Sequence, residues 1–218
     1  MYFLKDIKAI IFDLDDTLLD RSRTFHKYCE YLIENFFPKN IQDKEEIIKR
    51  LSVLDNNGYK KRKIFCKEII DEYKLNYNIE EIENNWYEKF NKFCVAEENL
   101  IDILEYLTIK YKLAIITNGS NYMQNLKINT LGIVKYFDDI IISENVGIEK
   151  PNRDIFLLSC KNLRIQPFEA VYIGDNFEKD IVGATNAGLK AIWYNKIDIN
   201  TKYTGNCISE LKMIYKIL

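Results

Sequence analysis

Five short apolar runs punctuate this chain: KAIIF at 8–12, KLAII at 112–116, DIII at 139–142, AVYI at 170–173 and KAIWY at 190–194. Continuous apolar runs of this length, rich in branched and aromatic residues, suit strands buried on both faces of a parallel sheet. Helical patterns separate them. Residues 120–131 end at Gly132 and residues 177–187 end at Gly188, where a left-handed C-cap residue belongs. Residues 209–218 (SELKMIYKIL) predict a closing amphipathic helix with Ser209 as its N-cap. The alternation implies an α/β fold: a Rossmann-like, doubly wound parallel sheet of about five strands.

Residues 20–99 interrupt that alternation. Phe25, Tyr28, Leu32 and Phe36 recur at helical spacing, as do Ile79, Ile82, Trp86, Phe90 and Phe93. Asp43 with Glu46, and Asn78 with Glu81, have the spacing of capping boxes. This stretch reads as about four inserted helices with no convincing strand. The expected division is an α/β core at 1–19 and 100–218, with a helical domain at 20–99.

The charge balance narrows the class of partner. Lys+Arg is 31 against Asp+Glu 33, a formal net charge of −2, which argues against a dedicated binder of nucleic-acid polymers or membrane surfaces. No apolar stretch is long enough to span a bilayer. Cys29, Cys66, Cys94, Cys160 and Cys207 are odd in number and form no CxxC pair. They read as reduced thiols of a cytoplasmic protein. The single histidine, His26, weakens any histidine-based triad or metal site. The amino-terminal stretch MYFLKDIKAIIFD lacks a signal-peptide layout.

Chemistry gathers where the strands are expected to end. In open α/β sheets, ligands bind at those carboxyl ends. The first run leads into FDLDDT (12–17), with Asp13 and Asp15 on one side of an extended backbone. Paired carboxylates there are costly unless a cation or proton intervenes, and Mg²⁺ prefers such oxygen ligands. The second run ends ITNGS (116–120), where Thr117, Asn118 and the turn's N–H groups suit an anion, or alternatively cap a helix. Lys150 precedes Pro151. The fourth run ends GDNFEKD (174–180), carrying Asp175 and Asp180.

Taken in order, DxDxT, TN, KP and GDxxxxD resemble the haloacid dehalogenase superfamily, and the helical insert resembles its C1-type cap. The resemblance implies that Asp13 is a nucleophile forming an aspartyl-phosphate. It implies that Asp15 protonates the leaving oxygen and then deprotonates water. It also places Mg²⁺ on Asp13, Asp175 and the backbone carbonyl of Asp15. Thr117, Asn118 and Lys150 would hold the phosphoryl oxygens. Asp180 would support Lys150 or a metal-bound water, and Thr17 would fix the nucleophile by a hydrogen bond. Asp16 replaces a glycine common in relatives, which aspartate's tolerance of left-handed backbone accommodates.

A carboxylate at Asp15 favours phosphate esters over carbon–halogen bonds, because a departing halide needs no proton. SENVGIEKPNRDIF (143–156) and GDNFEKDIVGATNAGL (174–189) further resemble bacterial pyrimidine 5′-nucleotidases. The reading is thus a phosphatase for a small phosphorylated metabolite, a nucleoside 5′-monophosphate in particular, working as a monomer or homodimer. A phosphomutase shares every core motif. A phospho-accepting regulatory domain shares clustered Asp, Thr and Lys, but needs neither Asp15 nor such an insert. The insert's aromatics are expected to be mainly packing residues, and Arg21, Arg23 and the basic run at 60–63 mainly solvated.

Overall fold

The computed structural model describes residues 6–39, 41, 43–196 and 203–218; residues 1–5 of the amino-terminal stretch read above lie outside that set. The described chain forms two compact units, one from residues up to Asp20 together with Ala96–Leu218, the other Arg21–Val95.

The first unit is built on a parallel sheet: β1 (Ala9–Phe12), β2 (Lys112–Thr117), β3 (Asp139–Ile142), β4 (Ala170–Gly174), β5 (Lys190–Tyr194) and β6 (Asn206–Ile208). Their order is β3-β2-β1-β4-β5-β6. Chain direction across the sheet reverses beside β1, so the ends of β1, β2 and β4 meet where doubly wound sheets bind ligands. All four residues of β1 and all five of β4 are buried, as expected of strands covered on both faces.

Two elements at the carboxyl end differ from expectation. The sheet has a sixth strand, β6, whose three residues are too few to show a pattern. The closing segment is a 3₁₀ turn over Leu211–Lys216 and not an α-helix. Ser209 does not cap it; its hydroxyl meets the Met213 sulfur. Only Leu211 and Ile214 of that turn are buried, a spacing one 3₁₀ turn serves.

The second unit holds α1 (Arg21–Phe36), α2 (Lys44–Asp55), α3 (Arg62–Tyr73) and α4 (Ile79–Lys89). Asn78 and Glu81 close a full capping box at the start of α4, and the Asp43 side chain accepts from the Glu46 N–H at the start of α2. Aromatic rings fill this unit's interior. Trp86 stacks on Phe90 with centroids 3.9 Å apart, and Tyr28 meets Trp86 edge-on at 4.9 Å. Arg21 and Arg62 are not solvated: both bind the buried Asp55 carboxylate, at 2.7 and 3.0 Å. The Arg62 guanidinium also lies over the Trp86 ring at 3.5 Å. A buried acid draws two cations because burying it alone would cost far more.

The remaining helices belong to the first unit: α5 (Leu100–Thr108), α6 (Asn121–Thr130), α7 (Ser143–Val146), α8 (Arg153–Leu163) and α9 (Gly183–Asn186). The segment expected to be one helix over 177–187 begins as a π-helical stretch, Phe177–Val182, before α9. All five cysteines are thiols outside any disulfide. Among the described residues no helix is long and apolar enough to cross a membrane.

Candidate active site

The sheet brings Asp13, Lys150, Asp175 and Asp180 together. Asp13 follows β1 directly, and its N–H bonds the Ile173 carbonyl at 2.9 Å. That rung fixes the strand-1 acid beside the end of β4, from which Asp175 follows. Lys150 Nζ donates to Asp13 Oδ1 at 2.6 Å, to Asp180 Oδ1 at 2.7 Å and to the Tyr172 hydroxyl at 2.8 Å. The Tyr172 hydroxyl in turn reaches the Ile116 carbonyl at 3.0 Å. Lys150 thus spends its three N–H donors on three fixed acceptors.

Asp180 is completely buried. Its second oxygen accepts from the Asn176 N–H at 3.0 Å. Gly174 makes room for it: a Cβ there would lie 2.4 Å from the Asp180 carboxyl.

Burial governs the electrostatics of this cluster. Desolvation raises the Asp13 carboxyl to about 7; Lys150 opposes the rise, and Asp180 and Asp15 add to it. Asp175 is pushed up to about 8 by burial first, then by Asp13, Asp180 and Asp16. Lys150 is desolvated as well, but Asp13 and Asp180 outweigh that and hold it above the ordinary lysine value. One ammonium does not neutralise three acids, so the cluster favours further positive charge.

Oxygen ligands of Asp13, Asp175 and Asp180 all lie within 4.8 Å of one another. Both Asp180 oxygens already hold protein donors, whereas Asp13 Oδ2 and the Asp175 carboxylate accept no hydrogen bond among the described residues. A hard divalent cation on Asp13 and Asp175, with Asp180 holding Lys150, fits this donor set.

The other expected residues sit at neighbouring strand ends with roles set by new partners. The Asn118 side chain is committed to the backbone of Lys150, donating to its carbonyl and accepting from its N–H, both at 2.9 Å. Thr117 Oγ1 lies 2.5 Å from Gln124 Nε2. The turn expected to cradle an anion has used some of its donors: the Gly119 N–H binds Ser143, and the Asn121 N–H binds Glu144. The Thr17 hydroxyl does not bond the nucleophile. It is buried without a hydrogen-bond partner among the described residues, in a turn whose Leu14 carbonyl accepts from the N–H groups of Thr17, Leu18 and Leu19. Asp16 adopts a left-handed φ of 57°, as its position in that turn requires.

Asp15 stands apart from the Lys150 cluster in its hydrogen bonding. Lys127 Nζ donates to both its oxygens, at 2.8 and 2.9 Å, and Gln124 Nε2 donates to Oδ2 at 2.9 Å. Sequence reasoning missed Gln124, Lys127 and Tyr172. The signal for the first two was available: polar residues three apart on α6, on the same helix face, among the apolar positions Met123 and Ile128. Tyr172 was hidden inside a run that reads as plain strand core.

Comparison with known proteins follows the same lines. The haloacid dehalogenase-like hydrolase family matches residues 10–194. A glyceraldehyde 3-phosphate phosphatase of Methanothermobacter thermautotrophicus is 30% identical over 195 residues, 87% of this chain and 86% of that protein. The pyrimidine 5′-nucleotidase YjjG of Escherichia coli is 34% identical over 103 residues, 47% of this chain and 46% of that protein. The fold matches a HAD-hydrolase of Bacillus subtilis, YfnB, solved with bound magnesium, at a TM-score of 0.79 and 23% identity, over 97% of this chain and 98% of that one. With a match that runs from β1 to the end of β5, the chain belongs to the haloacid dehalogenase-like hydrolases.

Proposed function

We propose that this hydrolase cleaves small phosphoric monoesters through an aspartyl-phosphate on Asp13. The observation that carries the reading is Lys150 Nζ, which joins Asp13 to Asp180 at 2.6 and 2.7 Å while Asp175 completes the acidic cluster. Asp13 and Asp175 would hold Mg²⁺, which supplies charge for the transferring phosphoryl oxygens. Asp13 would use its second oxygen on phosphorus. As that O–P bond forms, the ester P–O bond breaks, and a protonated Asp15 gives its proton to the departing alkoxide. Asp15 is left as a carboxylate. It then takes a proton from water as the water oxygen attacks phosphorus, which frees phosphate and restores Asp13. The positive charge of Lys150 and the Thr117 hydroxyl would steady the phosphoryl oxygens.

The substrate is a small phosphorylated metabolite. Similarity along nearly the whole chain to a glyceraldehyde 3-phosphate phosphatase supports a triose- or sugar-phosphate substrate. The nucleoside 5′-monophosphate reading draws on the shorter match to the pyrimidine nucleotidase. Phosphate release with Mg²⁺ over 4-nitrophenyl phosphate, glyceraldehyde 3-phosphate, sugar phosphates and pyrimidine monophosphates separates the two. Transfer of the phosphoryl group to a second sugar hydroxyl, with no free phosphate, would make the protein a mutase. No turnover of any of these by folded protein would sink the phosphatase reading.

A further inference from the structure

Lys127 is a nearly buried lysine placed away from every expected motif. Its ammonium grips both oxygens of Asp15 and also donates to Gln124 Oε1 at 2.8 Å. Gln124 is buried too. Its amide nitrogen reaches Asp15 Oδ2 at 2.9 Å and Thr117 Oγ1 at 2.5 Å. One face of α6 therefore ties the acid after β1 to the threonine ending β2. Gly119 lets that face approach: a Cβ there would lie 3.1 Å from the Gln124 side chain.

We infer that Lys127 and Gln124 are positioning residues that hold Asp15 in the orientation from which it exchanges its proton with the leaving group and water. This inference rests on the phosphatase reading above. A buried lysine needs an anionic partner, and a bidentate contact reinforced by a glutamine leaves the Asp15 carboxylate little rotational freedom. The same contact stabilises the carboxylate that Asp15 becomes once its proton has left. The step that gains is departure of a poor leaving group, because only that step requires the proton.

The test compares two substrates in Lys127→Met, Lys127→Arg and Gln124→Leu. 4-Nitrophenyl phosphate releases a stabilised phenolate without a proton; glycerol phosphate releases an alkoxide and needs one. Lys127→Met is expected to lose about tenfold more kcat on glycerol phosphate than on 4-nitrophenyl phosphate, with KM changing less than kcat for both. Lys127→Arg should recover most of the difference, because a guanidinium also pairs with a carboxylate through two bonds. Gln124→Leu should move the ratio the same way by less. If Lys127→Met does not fold, the other two variants carry the ratio. Equal losses on both substrates, or no loss on either, would overturn the assignment. Inactive wild-type protein would overturn the phosphatase reading and this one with it, whereas an active wild type with an unchanged ratio overturns this one alone.

Discussion

The side-chain amide of Asn118 and the backbone of Lys150 form a closed pair of hydrogen bonds, both 2.9 Å long. The residue that follows β2 thereby sets the height at which Lys150 reaches Asp13. Asn118→Ala removes both bonds, and misplacement of a charged group by about an ångström can cost on the order of 10²-fold. We expect kcat to fall by about 10- to 100-fold with KM little changed. Asn118→Asp keeps the acceptor for the Lys150 N–H and should fall between. Steady-state kinetics check the order, and an Ala variant as fast as the parent contradicts it.

Asp13→Asn should abolish turnover while the protein still folds. The amide preserves shape, relieves repulsion among the three acids, and cannot form the acyl-phosphate. Lys150 keeps Asp180 as its partner. Circular dichroism with phosphate release provides the check; activity at the parental level would remove Asp13 from the nucleophile role.

Mg²⁺ should stabilise the protein more at pH 8 than at pH 6. Asp13 and Asp175 are raised from 3.8 to about 7 and about 8 by burial and neighbouring acids. Between about pH 4 and 8 the folded, metal-free chain therefore binds more protons than the unfolded one. Its stability falls as pH rises through that window; the cost is absent below it and complete above it. Bound metal offsets a cost that grows with pH. Thermal melts with and without Mg²⁺ measure the difference, and equal shifts at both pH values would contradict it. Chelation by EDTA should also stop turnover.

Gly174→Ala should lower both stability and activity. Its methyl would fall 2.4 Å from the buried Asp180 carboxyl, and overpacking of this kind typically costs about 1–3 kcal/mol. Displacing Asp180 also frees Lys150 on one side. An unchanged melting temperature would show that the loop yields without strain.

Excision of Arg21–Val95 tests where substrate preference resides. Leu19 and Ala96 are bridged in antiparallel fashion, and the Glu97 N–H bonds the Leu18 carbonyl at 3.0 Å. The chain ends left by excision therefore lie side by side and need only a short linker. We propose that the insert supplies the discrimination among leaving groups. The shortened protein should still cleave 4-nitrophenyl phosphate slowly and lose its preference among natural esters. A folded core with the parental preference would place specificity in the core loops.

Elements whose information is local are legible in the chain alone. Each strand run through β5 carries its own apolar signature, and the insert carries a helical period. The Asn78–Glu81 capping box spans a single turn. The motif order placed Asp13, Thr117 and Asp175 at strand ends, because a strand leaves its polar successor at the sheet's edge. Partners are set by the fold and by nothing local. Asp15 meets Lys127 across 112 residues, and Lys150 meets Asp13 across 137. Arg21 and Arg62 turned inward to a buried Asp55, although nothing in their local pattern separates them from solvated basic residues. β6 is too short to carry a period, and the closing segment, which reads as helical over 209–218, forms a 3₁₀ turn that buries only Leu211 and Ile214. A charged side chain is read locally as exposed because exposure is its cheapest state. Only the three-dimensional arrangement shows which charges have been given a partner that makes burial stable.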